Sequence, residues 1–261
     1  MQQEQRDWVR LVCTRTGMPA AAQQKLEAVA RTVFSPKVWQ AAEGLTDPDR
    51  AQQSWECLKS LLAPDPDGWK MLFVQLSRTR ETAQRLARSG FTEEEIWDTL
   101  EAFSRFVRER EAAGCLDFDR DFWTWRQTSG RVVRLGCLEY EPLDDCVMLH
   151  IPSDAQLTEE EVDASLARAK KRWGTRAFYC DSWLLAPALD ELLPTQSRIR
   201  SFRARFEQES ARPEGTEFVR WVFDCTPLPP DQWPEKTRLQ KAIKAHVCAG
   251  GKIGSARGRL K

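Results

Sequence analysis

Histidine is scarce in this chain of 261 residues: His150 and His246 are the only two. A His-rich zinc centre, or a set of imidazole bases, cannot be assembled from them. Cysteine occurs eight times, as Cys13, Cys57, Cys115, Cys137, Cys146, Cys180, Cys225 and Cys248, without a single C-x-x-C pair. That spacing excludes a zinc ribbon or a thioredoxin motif and leaves free thiols in a reducing compartment. Net charge is lacking too: 39 basic and 39 acidic side chains cancel, which argues against a dedicated nucleic-acid binder. No apolar run approaches the roughly 18 residues that span a bilayer, and the opening stretch has no apolar signal core. The expectation is a cytoplasmic protein with no membrane partner. Mean hydropathy of −0.55, with 41% apolar and 30% charged residues, describes a globular chain of one large domain or two small ones.

What is present divides in two. Up to about Trp125 the periodicity is helical. Thr92 and Glu95 predict a capping box, with Ile96, Leu100, Phe103 and Val107 following at helical spacing and Gly114 as a left-handed stop. Trp69 to Ala87 and Ser54 to Leu62 predict two earlier helices. Small polar residues from Gln127 to Gly130 predict a linker. After Gly130 the period changes. Arg131 to Glu141 and Cys146 to Ile151 predict a hairpin, Thr158 with Glu161 a second capped helix, and Phe178 to Asp181 a buried strand. The stretch after Leu185 shows no clear period. Phe218 to Phe223 predicts another strand, and Thr237 to Ala249 a last helix.

Charge is uneven along the chain. Residues 1–130 carry 18 basic and 20 acidic groups, residues 131–235 carry 13 and 19, and residues 236–261 carry 8 and none. The end of this basic tail, from Gly250 through Arg259, joins backbone freedom to cations, which an anion site needs. A helix C-cap followed by a solvated basic end accounts for the same residues.

Several phrases then line up with a known family. Leu135-Gly136-Cys137-Leu138-Glu139-Tyr140-Glu141, His150-Ile151-Pro152, Leu157-Thr158 through Leu166, Cys180-Asp181-Ser182-Trp183-Leu184-Leu185 and Ala249-Gly250-Gly251-Lys252-Ile253-Gly254 occur in that order. The chain thereby resembles the bacterial acyltransferase-domain family, which pairs an acyltransferase-associated helical domain with a GNAT-like C-terminal domain. The resemblance covers most of residues 131–261. It implies an α+β chain, with a helical N-terminal domain over residues 1–128 and a GNAT-like mixed-sheet domain over 129–261. It also implies acetyl-CoA or another acyl-CoA as co-substrate, and direct attack by a small-molecule or peptide amine. A non-catalytic GNAT-fold module that binds a metabolite or a partner is the alternative. The superfamily's diphosphate fingerprint, [Q/R]-x-x-G-x-[G/A] between a strand and a helix, is matched only in part and out of place. The nearest string, Gly251 to Ala256, starts with glycine and follows a predicted helix.

Within that frame Glu139 and Asp181 are the candidate bases and Tyr140 the candidate acid for a departing thiolate. Gly250, Gly251, Lys252, Gly254 and Arg257 are the candidate phosphate contacts. An ammonium must lose its proton before it attacks, which is why carboxylates at strand ends draw notice. Each has a plainer reading: a solvated strand face for Glu139 and Glu141, a helix N-cap for Asp181, local packing for Tyr140 and Tyr179. His150 and His246 read as packing residues. Cys180 lacks an assured base for thiolate chemistry. The 11 tryptophans are not interleaved with cations as a base-stacking surface would require, and read as core.

Overall fold

The computed structural model describes residues 2–174, 176–223 and 228–261. The chain forms two compact units, Met1–Arg134 and Leu135–Lys261. Cys225 lies outside the described residues.

The first unit is helical: α1 Gln2–Arg15, α2 Ala20–Val29, α3 Pro36–Glu43, α4 Ala51–Leu61, α5 Trp69–Arg88, α6 Glu93–Ala112 and α7 Asp121–Thr128. Helix α5 is its centre. Trp69 and the run Met71–Leu76 are buried on all sides, and α5 packs against α1, α2, α6 and α7. Several polar groups inside this core are paired. Gln75 receives a hydrogen bond from Thr124 Oγ1 and donates to Asp121 O at 3.1 Å, while Thr82 Oγ1 donates to Thr128 O. These bonds bring the C-terminal half of α7 into the core, so Gln127, Thr128 and Ser129 are buried rather than strung out as a linker. Trp69 and Trp125 are buried here, and two half-buried indoles donate to polar partners. Trp8 Nε1 donates to Thr79 Oγ1 at 2.9 Å and Trp55 Nε1 to Asp121 Oδ2 at 2.7 Å.

Helix α6 starts where its cap residues demand. Thr92 Oγ1 accepts from Glu95 N at 3.2 Å, and Glu95 Oε2 accepts from Thr92 N at 3.0 Å. It ends at Gly114, whose φ of +87° closes the helix with Cys115 N donating to Arg110 O. Thr92→Ala is expected to cost about 1 kcal/mol. Thermal unfolding should record this as a drop of roughly 2–4 °C.

The second unit runs β1 Val133–Leu135, β2 Leu138–Pro142, β3 Cys146–His150, α8 Glu159–Trp173, β4 Ala177–Ser182, α9 Leu189–Leu192, α10 Arg198–Arg203, β5 Phe206–Arg212, α11 Phe218–Phe223, α12 Arg238–Cys248 and β6 Ser255–Leu260. β1 straddles the boundary in sequence: Val133 and Arg134 close the first unit and Leu135 opens the second. The sheet order is β1-β2-β3-β4-β6-β5. Strands β3 and β4 are parallel, joined through α8, and every other pair with a recorded register is antiparallel. The sheet is therefore mixed, with helices around it. Among the described residues no helix is long and apolar enough to cross a membrane.

Three expectations change. Phe218–Phe223 is a helix: Phe218, Val219, Val222 and Phe223 join one apolar cluster while Trp221 is exposed, a pattern that fits helical spacing and not alternation. Arg131–Glu141 is broken at Gly136, φ +69°, into β1 and β2. The basic tail is not a solvated end: its last residues are β6, inserted between β4 and β5. Strand β5 had no apolar period because it is an edge strand with only Phe206 buried and a bulge between Gln208 and Ser210.

Candidate active site

Alternation along the strands sorts the sheet into two faces. One face carries Leu138, Tyr140, Val147, Leu149, Phe178, Cys180, Ala256 and Gly258, all buried, with α8 against Tyr140. Tyr140 is fully buried, 5.6 Å between ring centroids from Trp173 and 6.3 Å from Phe178. Ser165 Oγ donates to Leu135 O, so the Tyr140 hydroxyl, 2.8 Å away, donates to Ser165 Oγ. Burial pushes that hydroxyl above its ordinary pKa. Tyr140 is thus a core residue beneath α8, on the face opposite Glu139 and Glu141. Burial likewise pushes up the thiol of Cys180, which stays protonated.

The opposite face is polar. Register puts Glu139 beside His150, and Asp181 beside Arg257. Leu149 pairs with Cys180, so His150 and Asp181 leave the parallel pair together at its carboxyl ends, where open α/β sheets hold ligands. The neighbouring row is Glu141, Met148, Tyr179 and Arg259. Two interactions tie the rows together. His150 Nε2 lies 3.1 Å from Glu141 Oε2, with side-chain exposures of 20% and 10%. The guanidinium of Arg257 sits 4.5 Å above the ring of Tyr179. A neutral His150 that donates from Nε2 to Glu141 keeps its basic lone pair on Nδ1. Sequence reading missed this pair: Glu141 and His150 are nine residues apart, but only the turn register between β2 and β3 shows that they meet.

Asp181 is placed on this face and is ion-paired. Arg212 takes both its oxygens, Nη1 to Oδ2 at 3.1 Å and Nη2 to Oδ1, and also donates to Ser255 Oγ at 3.0 Å. The hydrogen bond to Asp181 in turn raises the Arg212 pKa. Glu139 is buried at 3% exposure, opposite His150.

The loop before β6 is occupied with structure. Gly250, φ +87°, and Gly251 cap α12: Gly250 N donates to Val247 O and Gly251 N to His246 O. Gly254, φ +72°, lets the backbone of Arg212 approach, since a Cβ there would lie 2.4 Å from Arg212 O. Lys252 Nζ is paired with Glu214 Oε1 at 2.6 Å, and the other histidine, His246, sits with Nε2 3.3 Å from Lys252 O. Arg257 alone among the five expected phosphate contacts reaches the polar face. One junction where a strand runs into a helix, β3 into α8, opens the helix with Thr158 as N-cap and Glu159, Glu160 and Glu161 in its first turn. Those carboxylates suit the helix dipole and repel a diphosphate.

Residues 90–260 match the family model of the GNAT-like C-terminal domain, and residues 8–130 match that of the N-acyltransferase N-terminal domain. No curated protein matches the chain. Among solved structures, an acyltransferase in complex with decanoyl-CoA and teicoplanin is 22% identical, with a TM-score of 0.78 over 97% of this chain and 87% of that one. A mutant acyltransferase in complex with octanoyl-CoA is also 22% identical, with a TM-score of 0.81 over the same shares. These likenesses agree with the helical half followed by a six-stranded mixed sheet. With most of its length matched by the first of these models, the chain belongs to the family of the GNAT-like C-terminal domain.

Proposed function

We propose that this chain is an acyl-CoA-dependent N-acyltransferase that transfers the acyl group to a small-molecule or peptide amine by direct attack. The observation that carries the reading is the Glu141–His150 pair at the carboxyl end of the parallel strands. The family and the acyl-CoA complexes of structurally similar acyltransferases support it. The acceptor arrives as an ammonium ion, and His150 Nδ1 takes one proton from it. The neutral amine attacks the thioester carbonyl carbon, forming the C–N bond. As the C–S bond breaks, the imidazolium returns a proton to the departing thiolate and the nitrogen sheds its second proton to solvent. Glu141 stabilises the transient imidazolium and fixes its tautomer. Glu139 and the Asp181–Arg212 pair set the charge of the surrounding row. Arg257 faces the same platform. Gly250, Gly251 and Gly254 act through the loop's shape, and Tyr140 takes no part in proton transfer.

The test is thermal unfolding with octanoyl-CoA, decanoyl-CoA and acetyl-CoA at saturation. A ligand at 100 times its Kd adds about 2.7 kcal/mol, which at this chain length is a rise of roughly 5–10 °C. An unchanged melting temperature with all three overturns the reading.

A further inference from the structure

Arg257 is held in place by a ring and an ion pair that leave its hydrogen-bond donors uncommitted. Its guanidinium carbon lies 4.5 Å from the centroid of the Tyr179 ring, and its ion-pair partner, Glu209 Oε2, is 3.7 Å from Nε, beyond hydrogen-bond length. No hydrogen bond from it is found among the described residues. Its neighbour differs: the donors of Arg212 are committed to Asp181 and Ser255. The Arg257 side chain is 40% exposed. A guanidinium held over an aromatic ring has lost rotamer freedom before any ligand arrives, and its planar fork matches a carboxylate or phosphate.

We infer that Arg257 anchors a carboxylate of the acceptor, so that the acceptor is an amine that also carries an acid group. The inference rests on the acyl-transfer reading for the identity of the other substrate. The platform supplies the geometry. Met148 on β3 pairs with Glu141 on one side and Tyr179 on the other. Strands are about 4.8 Å apart, so the Glu141–His150 pair and the guanidinium above Tyr179 stand one to two strand spacings apart, about 5–10 Å. Half-buried Met148 forms an apolar floor between them. An acceptor lying across that floor presents its amine to His150 and its acid to Arg257, a span that short ω-amino acids and dipeptides bridge. The diphosphate of CoA lies further from its own sulfur, at the end of the pantetheine arm, and fits this span less well.

The experiment uses the full chain and two probe pairs, glycylglycine and γ-aminobutyrate, each beside its carboxamide. Dissociation constants are measured by calorimetry with CoA present, for the wild type, R257Q and R257K, alongside the dissociation constant for octanoyl-CoA. Wild type is expected to bind each acid about 10- to 100-fold tighter than its amide, the usual worth of hydrogen bonds to a charged group. The preference should vanish in R257Q and survive in part in R257K, which keeps the charge and the fold but loses the fork. Equal binding of acid and amide by the wild type, or binding of neither, overturns the inference. So does an R257Q variant that loses octanoyl-CoA affinity while keeping the acid preference, which would give the guanidinium to a CoA phosphate. Acid binding that depends on Arg257 without any amide product supports the anchor and overturns the transfer reading.

Discussion

His150→Ala is expected to lower kcat/KM for acyl transfer by about 10²- to 10⁴-fold, the usual contribution of a positioned acid or base. The argument is geometric. His150 ends β3 where the parallel strands open, its ring is oriented by Glu141 at 3.1 Å, and the row it occupies also carries Glu139, Asp181 and Arg257. Removing the ring leaves the thioester and the acceptor without a group to take the ammonium proton. The loss should therefore fall on kcat, with the dissociation constant for octanoyl-CoA unchanged. It should also change the pH profile. An amine that cannot hand its proton to the protein reacts only as the fraction already neutral, so the variant's rate should keep climbing toward the amine's own pKa of roughly 10. Glu141→Gln, which keeps a hydrogen-bond acceptor but removes the charge that stabilises an imidazolium, should give an intermediate loss. Wild-type kcat/KM in the alanine variant would remove His150 from the chemistry.

The helical half was legible because its signals are local. A capping box at Thr92 and Glu95, a left-handed glycine at Gly114 and apolar residues at helical spacing all act within a few residues of one another. The mixed sheet was legible only in its apolar strands. β6 alternates arginine with alanine and glycine, because Gly258 must lie under Phe206 Cβ and Leu185, where a Cβ would come within 2.9 Å of the first and 3.3 Å of the second. Its inward face is therefore too small to register as apolar, and the arginines make the strand look like a tail. α11 was misread for the opposite reason. Its phenylalanines and valines favour strands intrinsically, and burial against Trp233 and Ile243 decided otherwise.

The site shows the same division. Glu139, Asp181 and Arg257 were picked out along the chain and do stand on one face, since alternation alone assigns faces. Partners were beyond reach. That Asp181 is bound by Arg212, 31 residues away, and that Glu141 meets His150, depend on register, which a bulge or turn shifts without any mark in composition. The glycines before β6 misled because the same residue serves a helix cap and an anion cradle, and only the partner of each amide tells the two apart.

Tyr140 supplies the second large effect, and it is one of stability rather than rate. Tyr140→Ala is expected to cost about 3–5 kcal/mol, as deletion of a buried aromatic does. At this chain length that is a fall of roughly 6–20 °C in melting temperature. The ring packs against Trp173 and Phe178 at zero exposure, and its removal opens a void beneath α8. Tyr140→Phe separates packing from the hydroxyl. It removes the donor to Ser165, which keeps its own bond to Leu135 O, so the expected cost is about 1 kcal/mol. Its kcat should equal that of the wild type. The hydroxyl's proton points to Ser165, and Ser165 in turn bonds a backbone carbonyl, so this chain of donors ends inside the fold and does not reach the face that holds His150. Burial also raises the hydroxyl's pKa, which makes the tyrosine a weaker acid toward a departing thiolate. A Tyr140→Phe variant with a preserved melting temperature and a kcat lowered more than about tenfold, the lower reach of acid catalysis, would return Tyr140 to the mechanism and require the acyl group to lie on the α8 face of the sheet.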